Sequence, residues 1–405
     1  MRTWTKGGAI LAATAAIALA AGCSSSGGGG ASSAGTGGGG ATAGLTPPEA
    51  SATVPATVGK TEGHLNLIAW EGYAQPQWVK PYEQATGCQV STKYAGSSSE
   101  MVSLMANGGG GQYDLVSASG DADLRLIYSG DVRPVNIGLI PSWKDFHPFL
   151  QSPPFNTIGG KHYGVSYEFG PNVLLYSTKT FPAAPTSWSV LYDKKYAGQI
   201  TVPDNPIQIA DAALYLSKTK PGLGITDPYE LTQPQFNAAV SLLTAEHPLI
   251  KKYWALASQE ISLFQSGTTV LGAAWPYQTN TLVAAGAKVA DTIPSQGATG
   301  WADTWMLATK APDPNCAYKW MQWVTTAKVQ AQEADYFGET PANKLACPIM
   351  DTIQKGSCAA YHANAPESYY QTIAFWKTPL AQCGNGKSDC VPFQQWVTAW
   401  TGITG

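Results

Sequence analysis

The sequence predicts two α/β lobes that follow an export signal and a flexible tether. Short apolar strand patterns alternate with helical patterns along the folded part, which is typical of parallel sheets covered by helices. The chain has 405 residues, more than one ordinary core accommodates, and 44% of them are apolar. These observations favour two hydrophobic cores rather than one.

The first 23 residues predict export and lipidation. Residues 7–21 form a small apolar stretch with the length of a signal peptide, too short to span a bilayer. The stretch leads into Leu19 to Cys23, which is similar to a lipobox and predicts cleavage after residue 22 and a lipid on Cys23. Ala20 stands where that pattern prefers Leu, so a plain secretory signal cleaved nearby is the alternative.

Residues 23–62 predict a flexible tether. Most of them are Gly, Ser, Ala, Thr or Pro, without apolar periodicity. Behind a lipidated Cys23, such a segment would hold a folded module away from the membrane. We therefore expect residues 1–22 to be a signal peptide and the mature protein to be anchored at the outer face of the cytoplasmic membrane, in a periplasm or on a cell surface.

Charge and motif content exclude several classes of function. Charged residues make up 13% of the chain, the net charge is −3, and no basic stripe is present, so we expect no nucleic-acid partner. The sequence contains no Cys-x-x-Cys, no histidines at zinc spacing, and neither Gly-x-Ser-x-Gly nor His-Glu-x-x-His. We therefore expect no metal, no cofactor and no catalysis.

Cysteine content agrees with export. Six cysteines remain after Cys23, and an even number in an exported protein predicts three disulfides. Six cysteines can pair in many ways, and spacing alone does not fix the connectivity. Short separations favour two local pairs, and elimination leaves the third: Cys383–Cys390, Cys347–Cys358 and Cys88–Cys316.

The folded part begins with a strand–helix–strand–helix–strand pattern. The pattern predicts strands at residues 65–70, 88–94 and 113–116 and helices at residues 75–86 and from about 98 to 107. Gly87 is a typical residue after a helix end, Ser97 begins a capping-box pattern, and Pro81 predicts a kink or a late helix start. Ligands of parallel sheets gather beyond the carboxyl ends of the strands, which here are residues 70–73 and 117–123.

The rest of the chain continues the α/β pattern and predicts more than one crossing between lobes. We expect strands at residues 163–177, 199–202, 270–274 and 304–307 and helices at residues 209–217 and 317–328. The expected lobes are residues 63–169 with 301–347, and residues 170–300 with 348–405. Hinges are expected near residues 167–172 and 299–303.

Five motifs stand in the order typical of one family. They are Trp70-Glu71-Gly72-Tyr73, Gly111 to Val116, Pro185 to Trp188 followed by Leu191 to Ile200, Trp301-Ala302-Asp303, and Glu339 to Asn343. On these motifs, residues 64 to 400 resemble the spermidine/putrescine-binding proteins of ABC importers. The resemblance implies a two-lobed, periplasmic-binding-protein-like fold of type II. It also implies a ligand cleft between the lobes and a monomer that delivers its ligand to a membrane permease.

The resemblance also implies which residues bind the ligand. A polyamine needs aromatic faces that cover its methylenes and attract its cations, and carboxylates that pair with its nitrogens. The positions that match the family's walls and ammonium partners are Trp70, Tyr73, Trp275, Trp301, Asp204 and Asp303. Trp188 is interpreted as a packing residue, and Asp204 has a rival role as a helix N-cap.

Three departures from the family pattern bear on the ligand. Asp121-Ala122 stands where the family has two tyrosines, and Ile207 stands where it has a glutamate. Lys377 aligns with a late glutamine, and a lysine in a cation pocket repels the ligand unless it is paired, for example by Asp121. We expect Asp121 and Lys377 near the ligand. A different small polar solute is therefore an alternative.

Two further functions compete with solute delivery. An exported hydrolase would use Asp204 and Asp303 as its paired carboxylates. A sensor or adhesion lipoprotein would keep the two-lobed fold but deliver no ligand to a permease. Turnover of a sugar substrate would distinguish the hydrolase, and stabilisation by a ligand without turnover would favour capture.

Overall fold

The structure is a computed structural model that describes residues 54–384 and 386–405. The expected signal peptide, the lipidation site at Cys23 and the tether up to residue 53 lie outside the described residues. None of the helices in these ranges has both the length and the apolar character that a bilayer crossing requires.

Strands of the described residues form two main sheets and one small hairpin. In chain order they are β1 (His64–Ala69), β2 (Gln89–Tyr94), β3 (Leu115–Ser119), β4 (Thr157–Ile158), β5 (Lys161–His162), β6 (Gly164–Pro171), β7 (Val173–Ser177), β8 (Ile200–Pro203), β9 (Ile250–Trp254), β10 (Leu271–Ala274), β11 (Val289–Thr292), β12 (Ala298–Leu307), β13 (Thr340–Pro341) and β14 (Ile373–Phe375).

The α-helices connect and cover these strands. In chain order they are α1 (Pro76–Thr86), α2 (Ser98–Met105), α3 (Gly120–Tyr128), α4 (Pro148–Gln151), α5 (Gln208–Thr219), α6 (Gln233–Glu246), α7 (Ala257–Gln265), α8 (Pro276–Ala284), α9 (Pro314–Val324), α10 (Ala327–Phe337), α11 (Cys347–Ile353), α12 (Ser357–Ala360), α13 (Glu367–Tyr370) and α14 (Phe393–Thr404).

The first sheet has the strand order β13-β6-β12-β3-β1-β2, and β14 pairs with β12. Strand β1 is parallel to β2 and β3, as the strand–helix–strand pattern predicts. Strand β12 is antiparallel to β3 and β6. The carboxyl ends of β1 and β3 therefore share one edge of the sheet, at Trp70 and Ser119.

The second sheet has the strand order β11-β7-β10-β8-β9. Strand β10 is parallel to β8 and antiparallel to β7. The C-terminal helix α14 packs beside α5 and α6 in one apolar cluster, where the rings of Trp396 and Phe236 lie 5.9 Å apart. Each sheet thus has its own core, and the predicted two-lobed α/β class is confirmed.

The chain crosses between the sheets where the sequence predicted one long strand. Residues 163–177 form β6 in the first sheet and β7 in the second, and Asn172 stands between them. A second crossing connects β11 to β12. The backbone N–H of Asn172 donates to the carbonyl of Thr299 over 2.8 Å, and its Nδ2 donates to Thr299 Oγ1 over 2.7 Å. The two crossing segments are therefore bonded to each other.

The segment from Pro185 to Trp188 packs on the second crossing. Trp188 Nε1 donates to the carbonyl of Gly297 over 2.8 Å, and its backbone N–H donates to Gln296 Oε1 over 3.2 Å. Gln296 Nε2 in turn donates to Ser187 Oγ over 3.1 Å. This family motif thus holds the chain where it passes between lobes, in keeping with the packing role expected for Trp188.

The C-terminal lobe boundary differs from the sequence expectation. Residues 348–405 were expected to lie entirely in the second lobe, whereas Ile373–Phe375 pairs with β12 in the first sheet. Three residues are too few to predict a strand, and the pairing partner is distant in sequence. Helix α14 does lie with the second sheet, so the chain makes a third crossing after residue 375.

Local signals set several element boundaries. Helix α1 runs through Pro81 and ends at Gly87, whose φ of 75° is left-handed. Ser97 accepts from the backbone N–H of Glu100, as the capping-box pattern predicts. The helix expected at residues 317–328 is two helices, α9 and α10, because Thr326 caps a new helix start.

The cysteines form three disulfides: Cys88–Cys316, Cys347–Cys358 and Cys383–Cys390. These are the pairs that the local separations and elimination favoured. The first pair connects the residue before β2 to α9 across 228 residues of sequence. The other two close short loops.

Candidate ligand site

Asp303 lies at the carboxyl edge of the first sheet. One carboxylate oxygen accepts from the hydroxyl of Tyr73 over 2.6 Å, and the other accepts from Ser119 Oγ over 2.5 Å. Tyr73 follows β1 and Ser119 ends β3, so Asp303 sits where a ligand of this sheet is expected. Burial raises the pKa of Asp303 to about 7, although both hydrogen bonds oppose the rise.

A β-bulge brings a second acid to the same place. The register between β12 and β6 shifts between Ala302 and Thr304, so that Tyr167 and Glu168 together oppose Asp303. The side chain of Glu168 is fully buried, and among the described residues neither of its carboxylate oxygens has a hydrogen-bond partner. Burial, followed by the charges of Glu339 and Asp303, raises the pKa of Glu168 well above its usual range.

Glu339 is the third acid, in the connection from α10 to β13. Its Oε2 lies 3.4 Å from the hydroxyl of Tyr73, which also bonds Asp303. Since that hydroxyl has one proton, it can serve only one of the two acids at a time. Burial and the charge of Asp303 raise the pKa of Glu339 well above its usual range.

The three acids have no basic counterpart in the part of the chain that the structure describes. The ion pairs found there involve Lys93 and Lys377, each with other acids. Ionised carboxylates at this depth cost several kcal/mol unless they are paired. The arrangement therefore provides a strong attraction for a cation from outside the chain.

Aromatic rings extend from this acid cluster toward the second lobe. The ring of Tyr73 lies edge-on to Phe337 at 5.3 Å, and Phe337 lies 6.2 Å from Tyr277 in the first turn of α8. Gly338 lies so near α8 that a Cβ there would be 2.0 Å from Asn280 Nδ2. Helix α8 of the second lobe thus closely approaches the residues beside Glu339.

The predicted tryptophan walls lie on both lobes. Trp70 directly follows β1 and packs on the first lobe, Trp301 precedes Asp303 by two residues, and Trp275 directly precedes α8. The ring of Trp275 meets Trp254 edge-on at 4.9 Å, and Trp301 packs in the apolar cluster of the second lobe. Within residues 54–384 and 386–405, the buried Nε1 atoms of these three indoles have no hydrogen-bond acceptor: Trp70, Trp275 and Trp301.

Asp121 and Lys377 are bound to other partners, not to each other. Asp121 is buried in the first turn of α3, where it accepts from Ser98 Oγ over 2.8 Å. Burial raises its pKa to about 6. The ammonium of Lys377 lies 2.9 Å from Asp227 and 2.5 Å from Glu230. The suggested Asp121–Lys377 pairing is therefore wrong.

Asp204 follows β8 in the second lobe. It is exposed, and its carboxylate accepts from Trp400 Nε1 on α14 over 2.8 Å. The turn before α5 is made by Asn205, whose Oδ1 accepts from the backbone N–H of Ile207 over 3.0 Å. The N-cap role considered for Asp204 is therefore wrong, and its ligand role stays a prediction.

Two acids of the cluster were not predicted as site residues. Glu168 lies within an apolar strand pattern, and an acid in a buried strand is the signal that could have identified it. Glu339 belongs to a family motif but was not assigned a role. Their proximity to Asp303 depends on the bulge and on the fold of α10, which sequence spacing does not encode.

Two α/β lobes, with acids at the edge of one sheet and aromatic residues where α8 of the other lobe approaches, are typical of a solute-binding protein. The model of the bacterial extracellular solute-binding protein family matches residues 77–357. The chain belongs to this family.

Comparisons with individual relatives agree with this family assignment. A putrescine/cadaverine-binding protein of Pseudomonas aeruginosa is 26% identical over 305 residues, which is 71% of this chain and 81% of that protein. A spermidine/putrescine-binding periplasmic protein of Escherichia coli is 22% identical over 76% of this chain and 91% of its own length. The crystal structure of a lipoprotein of Treponema pallidum has a TM-score of 0.67 at 17% identity, covering 84% of this chain and 99% of that one.

Proposed function

We propose that this protein captures a polyamine-like organic cation, of the putrescine or spermidine class, between its two lobes and delivers it to an ABC permease. The observation that supports this proposal is the cluster of the buried Asp303 and Glu168 and the partly buried Glu339 around Tyr73, which lacks a basic partner among the described residues. It binds and releases its ligand without catalysis.

The chemistry of the ligand follows from that of the site. A protonated amine in the cluster replaces the missing counter-charge and donates hydrogen bonds to carboxylates, which are among the stronger contacts that proteins make. Its methylene chain then packs on the indole rings of Trp70, Trp275 and Trp301, which also attract cations. Neutral sugars and anions do not supply the missing positive charge.

Closure couples capture to delivery. The bonds between Asn172 and Thr299 mark the hinge, and helix α8 brings the second lobe against the segment from Phe337 to Glu339. A ligand that contacts both lobes favours the closed form, and only that form presents the surface that a permease reads. The lipid on Cys23 would keep the protein near the permease, at the outer face of the membrane.

The hydrolase alternative receives no support from the contacts described. It needs Asp204 and Asp303 on either side of one bond. In the structure Asp204 accepts from Trp400 of the second lobe, whereas Asp303 accepts from Tyr73 and Ser119 of the first.

A calorimetric and thermal-shift screen of the purified full-length protein tests the proposal. Putrescine, cadaverine and spermidine are compared with neutral and acidic amino acids and with sugars. We expect saturable binding and a raised melting temperature with the amines alone. Binding of a sugar or an acidic amino acid instead, without any response to amines, would overturn the proposal and favour a different small polar solute.

A further inference from the structure

The acid cluster contains more carboxyl groups than one ammonium ion requires. Its acids come from three elements: Asp303 from β12, Glu168 from β6 and Glu339 from the connection before β13. We propose that Glu168 and Glu339 determine specificity, and that with Asp303 they bind a single cationic group of the ligand that carries N–H donors. This inference rests on the proposed function, because it concerns the same ligand.

The hydrogen bonds already present show where the ligand's donors are needed. Both oxygens of Asp303 accept from hydroxyls, of Tyr73 and Ser119. In the described part of the chain, the oxygens of Glu168 accept no hydrogen bond. Within that same part, Glu339 can accept only from the hydroxyl of Tyr73, which also donates to Asp303. Donors brought by the ligand would therefore be bound chiefly by Glu168 and Glu339.

The number of N–H donors on the ligand's cationic group determines which class of cation this site binds. A primary ammonium offers three N–H donors and a guanidinium five, whereas a quaternary ammonium offers none. Aromatic rings alone can bind a quaternary ammonium, but buried carboxylates that lack donors remain unsatisfied. We therefore expect selection for ligands that end in a primary ammonium or guanidinium group.

The charged contacts belong to the first lobe. All three acids lie on elements of the first sheet or its edge. The second lobe approaches them with α8, where the ring of Tyr277 lies 6.2 Å from that of Phe337 at the end of α10. The cation would thus bind to the first lobe while the cleft is open, and the aromatic second lobe would close over it.

Cation binding would also displace protons. The charged neighbours of the cluster are themselves acids. Asp121 adds to the effect of burial in raising the pKa of Asp303, and Asp335 does so for Glu168. The cluster in turn raises the pKa values of Asp123 and Glu333. Tyr73 is the other titratable group in contact. Without a ligand Asp303, whose pKa is about 7, therefore retains part of its proton near neutral pH. When a carboxyl group ionises to pair with the incoming cation, its proton passes to solvent.

The test compares three glutamates in the full-length protein, of which Glu168 and Glu260 are fully buried and Glu339 is partly buried. Glu168→Gln and Glu339→Gln keep size and remove charge, and Glu260→Gln is the matched control. Glu260 is equally buried in the second lobe, and its bond from Gln278 Nε2 survives as a bond to the amide oxygen. We expect each cluster variant to bind putrescine at least about tenfold more weakly, and the control to bind as the wild type does.

Two measurements on the wild type need no variant. Tetramethylammonium should bind far more weakly than putrescine, and agmatine, which has a guanidinium end, should bind. Titrations at pH 6.5 in two buffers of different ionisation enthalpy should reveal proton release on putrescine binding.

The outcomes separate this inference from the proposed function. If the wild type binds none of these cations, the proposed function fails. If it binds putrescine but the cluster variants bind equally well, if tetramethylammonium binds as tightly, or if no proton is released, the inference is overturned and the proposed function stands.

Discussion

The hydroxyl of Tyr73 bonds the carboxylate of Asp303 over 2.6 Å, although 230 residues separate them in the sequence. This contact joins the segment after β1 to β12 at the edge of the first sheet. It places an aromatic ring directly beside a buried acid, which is the combination that an alkylammonium ion needs. The family motifs that contain these two residues, Trp70 to Tyr73 and Trp301 to Asp303, are far apart in the chain and meet here.

Replacing Asp303 by asparagine should weaken amine binding by more than about tenfold, because the charge-assisted contact is lost while the shape is kept. Asp114→Asn is the control. Asp114 is equally buried and accepts from two backbone N–H groups, of Asn66 and Asp313, but it lies at the other end of β3. Calorimetry should show near wild-type affinity for the control. Unchanged affinity in Asp303→Asn would remove Asp303 from the site.

The sequence predicts local structure correctly where that structure depends on neighbouring residues. The left-handed residue at Gly87 and the cap at Ser97 depend on residues within one helical turn, and the pattern identified both. The parallel strands β1, β2 and β3 were predictable because strand-like and helix-like apolar patterns alternate in this part of the sequence. The position of Tyr73 and Asp303 at the strand ends then follows from sheet geometry and the family resemblance.

Long-range partners were not predictable in this way. The pairing of Lys377 with Asp227 spans 150 residues, and nothing in the spacing distinguishes it from a pairing with Asp121. Glu168 lies opposite Asp303 at a one-residue bulge, a shift of register that an alternating pattern does not predict. Which acids share a cavity is decided by strand register, and one sequence does not reveal that register.

The stability of the ligand-free protein should fall as pH rises from about 5 to 8. Burial raises the pKa of Asp303 and Asp211 to about 7 and that of Glu246 to about 8. A group whose folded pKa is raised makes the native state bind more protons than the unfolded state between the two values, so stability decreases with pH there. His147 acts oppositely, since burial lowers its pKa to about 4, but the acids outnumber it.

Melting temperatures across that pH range, with and without putrescine, test this expectation. The melting temperature without ligand should decline, and the increase produced by putrescine should grow with pH, since protons compete with the cation below about pH 7. A melting temperature that rises steadily from pH 5 to 8 would contradict it.

Replacing Lys377 by methionine should lower stability and leave ligand affinity within about twofold of the wild type. Removal of the ammonium leaves Asp227 and Glu230 facing each other without a counter-charge, which costs on the order of 1–3 kcal/mol for this partly exposed group. Urea unfolding and putrescine calorimetry measure the two effects. A marked gain in affinity would instead indicate that Lys377 repels the ligand from inside the site.

Thr299 lies at one of the predicted hinges between the lobes. Thr299 Oγ1 accepts from Asn172 Nδ2 and donates to Asp211, so one hydroxyl links both crossing segments to helix α5 of the second lobe. Thr299→Val keeps the shape, removes that link and leaves two buried polar groups unsatisfied, at about 1–3 kcal/mol. Thr201→Val, which removes a bond to the Lys252 carbonyl inside the second sheet, is the control.

Both variants should be less stable, but only Thr299→Val should change closure. Small-angle X-ray scattering with and without putrescine would measure the change in radius on binding, and calorimetry the affinity. We expect a more open ligand-free form and weaker binding in Thr299→Val, because the ligand must then supply more of the free energy of closure. Equal scattering and affinity in the two variants would mean that this hydroxyl stabilises the fold without controlling the hinge.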